Sequence, residues 1–163
     1  MSDSPAIPFE RLIKDNERLI YKVCRVYAYT RSDRDDLYQE IVLQLWHAWP
    51  RFRAEAKFST WLYRVAINTA ITGLRRQKKF IDSCDPAQLP LHQVEERNED
   101  DQLKELYRAI EQLNQIDKAI VMLYLEEKTY EEMEEIMGIS NSTLRVKMAR
   151  IKEKLRQLTK KTA

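Results

Sequence analysis

A single glycine, Gly138, divides a stretch crowded with glutamate, residues 129 to 137, from one crowded with lysine and arginine, residues 145 to 156. Thr129 and Glu132 have capping-box spacing: the threonine hydroxyl can accept the N–H three residues on, while the glutamate reaches back to the cap N–H. Glycine tolerates positive φ better than any other residue, so Gly138 suits a sharp break between two helices. Beyond it Leu144, Met148, Ile151, Leu155 and Leu158 repeat at spacings of four and three, one narrow apolar stripe that fixes a helix to its domain. Arg145, Lys152 and Arg156 lie on one flank and Lys147, Arg150 and Lys154 on the other, opposed only by Glu153.

A tight turn, a short helix before it and a helix with basic open flanks after it match a helix-turn-helix that enters a DNA major groove. Asn141, Ser142 and Thr143 would form the first turn and grip phosphate; Arg145 and Lys147, with Val146 and Arg150 beside them, would face base edges. Basic flanks are also what any solvated helix shows. The preceding glutamates would then face away from the duplex, toward solvent or a protein.

The rest of the chain agrees in class. With Gly73 and Gly138 the only glycines in 163 residues, five prolines and few alternating β-branched runs, helix is favoured throughout, and the expected fold is all-α. A first helix is expected from after Pro8 to about Tyr29, on Phe9, Leu12, Ile13, Leu19, Ile20, Val23 and Tyr27. A second opens at Ser32 or Asp33 as N-cap, carries Leu37, Ile41 and Leu45, and stops at Pro50. A third starts at Ser59, with Phe58 packing on Tyr63 across the cap, and runs to about Lys78. Residues 80–100, with two prolines, an acidic end and no sustained period, read as a flexible linker between two small helical domains, 1–79 and 101–163. The second domain resumes with Leu103, Leu106, Tyr107, Ile110 and Leu113 and a short apolar helix before the capping box.

The net charge of +2 conceals an uneven distribution. Residues 1–80 hold fifteen Lys and Arg against nine Asp and Glu, residues 81–128 hold five against twelve, and residues 129–163 hold eight against five. Two basic ends around an acidic middle suggest a polyanion touched at two places. No acid occurs between Ala56 and Ile81, while Trp46, Trp49, Phe52, Phe58, Trp61 and Tyr63 crowd together. Cations interleaved with rings are what a single strand needs from its binder. Arg64, Asn68 and Arg75 share a helical face; Phe52, between Arg51 and Arg53, lies in a loop where a flipped base can rest, while Trp46 and Trp61 read as core. On the second helix Asp36, Glu40, Leu43 and His47 form a face edged by Asp35, Gln39 and Gln44, read either as a protein-docking surface or as a solvated one.

Other chemistries find little footing. Cys24 and Cys84 form no CxxC and stand at no metal-ligand spacing from His47 or His92, so free thiols are expected, with no metal and no cofactor. No nucleophile is paired with a general base, and no glycine-rich phosphate loop occurs. Charges interrupt every apolar run and nothing resembles a signal peptide, so a cytoplasmic protein without stable membrane insertion is expected.

The segment DRDDLYQEIVLQLWHAWPRFRAEAKFSTWLYRVAINTAITGLRR resembles region 2 of the extracytoplasmic-function (ECF) sigma factors of the sigma-70 family, and LNQIDKAIVMLYLEEKTYEEMEEIMGISNSTLRVKMARIKEKL resembles their region 4. The resemblance implies a dissociable subunit of bacterial RNA polymerase, not itself a catalyst, that directs core enzyme to promoters. It implies that Asp35, Asp36, Gln39, Glu40 and Leu43 dock on the clamp helices of the largest polymerase subunit. Phe52, Arg53, Trp61, Arg64, Asn68 and Arg75 would engage the melted −10 element, and the helix from Ser142 would read the −35 element. An anti-sigma protein is implied as a further partner. Asn114 and Ala149 stand where the family usually has proline and a histidine or aromatic. The alternative from the residues alone is a free-standing helix-turn-helix regulator that binds duplex operators as a dimer.

Overall fold

The computed structural model describes residues 8–53, 57–83 and 101–160, the side chains of 74–83 excepted. Among these the chain is all helix, in the order α1 (Phe9–Asp15), α2 (Glu17–Tyr27), α3 (Arg31–Ala48), a 3-10 turn (Trp49–Arg51), α4 (Phe58–Ser83), α5 (Asp101–Glu111), α6 (Gln115–Leu125), α7 (Tyr130–Met137) and α8 (Asn141–Lys160).

Several boundaries differ from the sequence reading, each for a local reason. The expected first helix is two, because Asn16 leaves helical geometry (φ −117°, ψ 14°) and its side-chain amide donates to the Leu12 carbonyl at 2.8 Å. Asx side chains compete with the helical ladder in this way. The cap of α3 is Thr30, not Ser32 or Asp33: its hydroxyl accepts the Asp33 N–H at 3.1 Å from an extended backbone. Ser59 lies inside α4, and Phe58 packs on Trp49, Phe52 and Trp61, while Tyr63 is buried beneath the Lys128 ammonium. Helix α4 runs through the first four residues expected as linker, to Ser83; residues 84–100, with Cys84 and His92, lie outside the described residues.

The C-terminal turns follow their residues closely. Asn114 caps α6 from an extended backbone by accepting the Asp117 N–H at 2.8 Å. Glu127 takes φ 60° at the end of α6, where the Glu127 N–H donates to Tyr124 and the Lys128 N–H to Leu123, a Schellman closure built without glycine. Both bonds of the Thr129–Glu132 capping box are present, and Gly138 ends α7 in the left-handed region at φ 69°. The Thr129 backbone N–H, donating to the Glu132 carboxylate, holds that group below the ordinary glutamate range.

The two halves share one continuous core. Helix α2 packs on α3 and α4 on one side and on α5 and α6 on the other, which is why it buries Ile20, Val23, Cys24, Val26 and Tyr27 rather than one narrow stripe. Helix α6 buries six consecutive residues, Lys118 to Leu123. Polar contacts stitch the same seam. The Tyr27 hydroxyl donates to the Gln115 carbonyl at 2.6 Å, Lys118 Nζ to the Tyr29 hydroxyl at 2.6 Å, and Lys22 pairs with Glu126 at 2.8 Å. The Arg25 guanidinium lies 3.9 Å from the centre of the Tyr107 ring. Burial pushes the Cys24 thiol up to about 12, which makes it an inert core group rather than a nucleophile.

Candidate nucleic-acid interface

Helix α8 is fixed by Leu144, Met148 and Ile151, all buried against α5, α6 and α7. Its opposite side is open: Ser142, Thr143, Arg145, Val146 and Arg150 are exposed, with Asn141 and Lys147 half-buried. The first turn is pinned by Ser140, whose Oγ accepts the Thr143 N–H at 3.4 Å and donates to Thr143 Oγ1 at 2.8 Å. Arg145 Nε donates to Asn141 Oδ1 at 2.6 Å, Asn141 Nδ2 donates to Glu131 Oε1 at 3.2 Å, and the Arg145 guanidinium lies 4.5 Å from the centre of the Tyr130 ring. Lys152 lies similarly over Tyr124, at 4.6 Å. Thus all seven residues expected to meet duplex fall on one helix, and Glu131, expected to face away, reaches toward them through Asn141. Tyr130 and Glu131 were missed from sequence; the clue was the i, i+4 pairing of Asn141 with Arg145 next to a turn that returns α7 to their side.

The second group is distributed over α3, α4 and the turn between them. Arg64 and Asn68 are exposed one turn apart on α4. Asn68 opens on a groove of about 400 Å³ between α3 and α4, lined also by Glu40, Gln44, Ala48 and Thr72. Arg64 instead gives its Nε to the Glu135 carbonyl of α7, at 2.6 Å. Arg75, with Arg76, Lys78 and Lys79, belongs to the part of α4 whose side chains are outside the described ones.

Phe52 is half-buried in a four-ring cluster: it stacks on Trp49 (5.6 Å, 10°) and meets Trp61 at 5.0 Å and Phe58 at 5.9 Å, with Arg53 exposed beside it. A loop ring gains this company because Pro50 tightens the chain into a 3-10 turn that lays Trp49 over it. Trp46, expected in the core, is 54% exposed and touches Phe9 edge-on at 5.0 Å. Trp61 is only partly buried against the core.

On α3 the residues Asp35, Asp36, Gln39 and Leu43 are exposed, with Glu40 half-buried. Leu43 is not a lone apolar residue among acids. It joins Phe9, Tyr38, Val42 and Trp46 around an apolar groove of about 460 Å³. The sequence signal for this groove was Trp46, three residues from Leu43 and on its side of the helix. Among the described residues no three His, Cys, Asp or Glu side chains converge as metal ligands would, and no helix is long and apolar enough to cross a membrane.

Residues 12–80 match the family model of sigma-70 region 2, and residues 103–155 match that of sigma-70 region 4. The chain belongs to the sigma-70 family. Within it the chain is an ECF sigma factor, and its curated relatives are RNA polymerase sigma factors. It is 28% identical over 150 residues to the RNA polymerase sigma factor SigV of Bacillus subtilis, covering 91% of this chain and 89% of that one. It is 29% identical over 136 residues to the ECF RNA polymerase sigma-E factor of Escherichia coli, covering 75% and 71%. The fold of this sigma factor is that of RpoE from Bartonella quintana, solved with the anti-sigma factor NepR: TM-score 0.77, 15% identity, 93% of this chain and 96% of that one. CnrH, solved with the cytosolic domain of CnrY, superposes with a TM-score of 0.68 at 18% identity, over 95% of this chain and 89% of that one.

Proposed function

We propose that this sigma factor divides promoter recognition between its halves, with residues 1–79 and 101–163 as the two working modules. Helix α8 reads −35 duplex through Asn141, Ser142, Thr143, Arg145, Val146, Lys147 and Arg150. Phe52, Arg53, Trp61, Arg64, Asn68 and Arg75 engage the melted −10 strand. Asp35, Asp36, Gln39, Glu40 and Leu43 dock on core polymerase, and the apolar groove beside Leu43 extends that docking face. The observation that carries the reading is a helix fixed by one buried stripe and open along its cationic side, on the same chain as an open groove around Asn68. The protein works in the cytoplasm, where polymerase and promoter are, and is not itself a catalyst.

The energetics suit a factor that depends on polymerase. Unstacking a base costs a few kcal/mol, and a ring or pocket that captures it returns roughly 1 to 3 kcal/mol. Melting therefore goes forward where the right bases meet the pocket and polymerase contributes the remaining contacts. The Arg64 Nε is bonded to the Glu135 carbonyl, so the position from which Arg64 meets a −10 strand depends on the contact between α4 and α7. An anti-sigma protein, of the kind with which RpoE was solved, is a fitting partner for surfaces that otherwise await polymerase.

The test is capture of core polymerase on the tagged full chain, followed by run-off transcription. The expected result is core retained on the chain and promoter-specific transcripts only when both are present. Operator-tight duplex binding by the free protein, with no transcript on adding core, would overturn the reading.

A further inference from the structure

We propose that Tyr130, Asn141 and Glu131 are positioning residues that set Arg145 as an end-on reader of one −35 base pair; this rests on the reading of α8 given above. An exposed arginine has many rotamers of similar energy, and ordering them on binding costs affinity without adding discrimination. Arg145 is already ordered. Its Nε is committed to Asn141 Oδ1 at 2.6 Å, and its guanidinium carbon lies over the Tyr130 ring, 4.5 Å from the ring centre. Neither contact uses the edge formed by the two terminal nitrogens, the edge that pairs with O6 and N7 of a guanine in the major groove.

Glu131 decides which way Asn141 points. An asparagine amide carries an acceptor on one side and donors on the other, and its two orientations are otherwise nearly equivalent. With the Glu131 carboxylate 3.2 Å from Nδ2, the oxygen must face Arg145, and the reverse flip would set oxygen against oxygen. Tyr130 is held in turn as the first residue of α7, directly after the Thr129 capping box, with its ring packed on the core. The chain of dependence thus runs from the cap to the ring and carboxylate, then to the amide and the guanidinium. It gives one carboxylate of the acidic helix, Glu131, a reason to stand beside the basic one: it orients the reader at some cost in phosphate attraction.

The experiment measures initiation by holoenzyme, formed from the full-length variant and core polymerase, on promoters carrying every single base change in the −35 element. Tyr130→Leu keeps an apolar side chain on the core but removes the ring. It is expected to lower discrimination by about 2- to 5-fold, the range of an exposed cation–π contact, at the same base pair where Arg145→Ala acts. Preferences elsewhere and the salt dependence stay unchanged, and Tyr130→Phe, which keeps the ring, behaves as the parent. Glu131→Gln keeps an acceptor for Asn141, so it retains base preference while raising affinity for all duplexes; Glu131→Ala loses the preference. An even loss at every position with a lower melting temperature, or full preference in Tyr130→Leu, would overturn the positioning role while Arg145→Ala still marks its base pair. Should Arg145→Ala change no position, the −35 reading of α8 itself is wrong and the proposal falls with it.

Discussion

Arg145 and Arg64 commit the same atom at the same distance, Nε at 2.6 Å, but to partners of different origin. Arg145 is held by Asn141, four residues away on its own helix, and by a ring of the neighbouring α7. Arg64 is held by a backbone carbonyl 71 residues away, in the other half of the molecule. The surface proposed to read duplex is therefore complete within the C-terminal half, whereas the surface proposed to hold single strand is tied to that half through the shared seam. A self-contained reader works in any arrangement of the halves; a tethered one depends on how they sit.

The largest expected effect breaks the self-contained half. Leu144 is fully buried where α8 meets its domain, and Leu144→Ala should cost about 2 to 5 kcal/mol. Hydrogen exchange should then rise in α7 and α8 before it rises in α4. A uniform rise over both halves would mean that they unfold as one unit and that the C-terminal half has no independence.

The seam is tested next. Tyr27→Phe removes the hydroxyl bond to the Gln115 carbonyl, which keeps its helical donor within α6, and should cost about 0.5 to 1.5 kcal/mol. Exchange should increase in α2 and α6 while the protection of α8 stays as it was. Thr129→Ala removes a cap and should cost about 1 kcal/mol, with loss of discrimination by Arg145 if the cap holds Tyr130 in place. The same motif has a pH signature. Because the folded Glu132 titrates below its ordinary value, its contribution is present above that value and fades as pH falls through the depressed one, so Glu132→Gln should flatten the acid limb of the stability profile.

Smallest of all is the Lys22–Glu126 pair at the rim of the seam. Both side chains are partly exposed, so Lys22→Ala should change stability by no more than about 1 kcal/mol, less in high salt. A larger loss would show that the rim rather than the buried Tyr27 contact joins the halves.

What could be read from sequence divides along the same line. The capping box, the left-handed Gly138 and the stripe from Leu144 to Ile151 are set by residues within a few positions of one another, and the structure has them as expected. The Asn16 break and the Thr30 cap were missed because several nearby residues can cap or interrupt a helix, and only the geometry chooses among them. The seam could not be read at all. That Val26 joins Ile20, Val23 and Tyr27 in the buried face of α2 depends on α5 and α6 arriving from more than seventy residues away. The exposure of Trp46 is equally non-local, since a tryptophan at an apolar position of α3 goes bare because no described element covers the groove it shares with Phe9 and Leu43. For the proposed site, the placing of the seven α8 residues on one helix was legible; the contacts of Tyr130 and Glu131 with Arg145 and Asn141 were not.

The most direct measurement compares holoenzymes carrying Arg145→Ala or Asn68→Ala on a native promoter and on one whose −10 segment is already unpaired. The division of labour predicts opposite defects. Asn68→Ala binds with its −35 preference intact but fails to open the native template, and Arg145→Ala loses the −35 preference yet starts transcription on the pre-opened one. If both variants instead lose −35 preference and opening in the same proportion on both templates, the two surfaces do not have separate tasks and the account is contradicted.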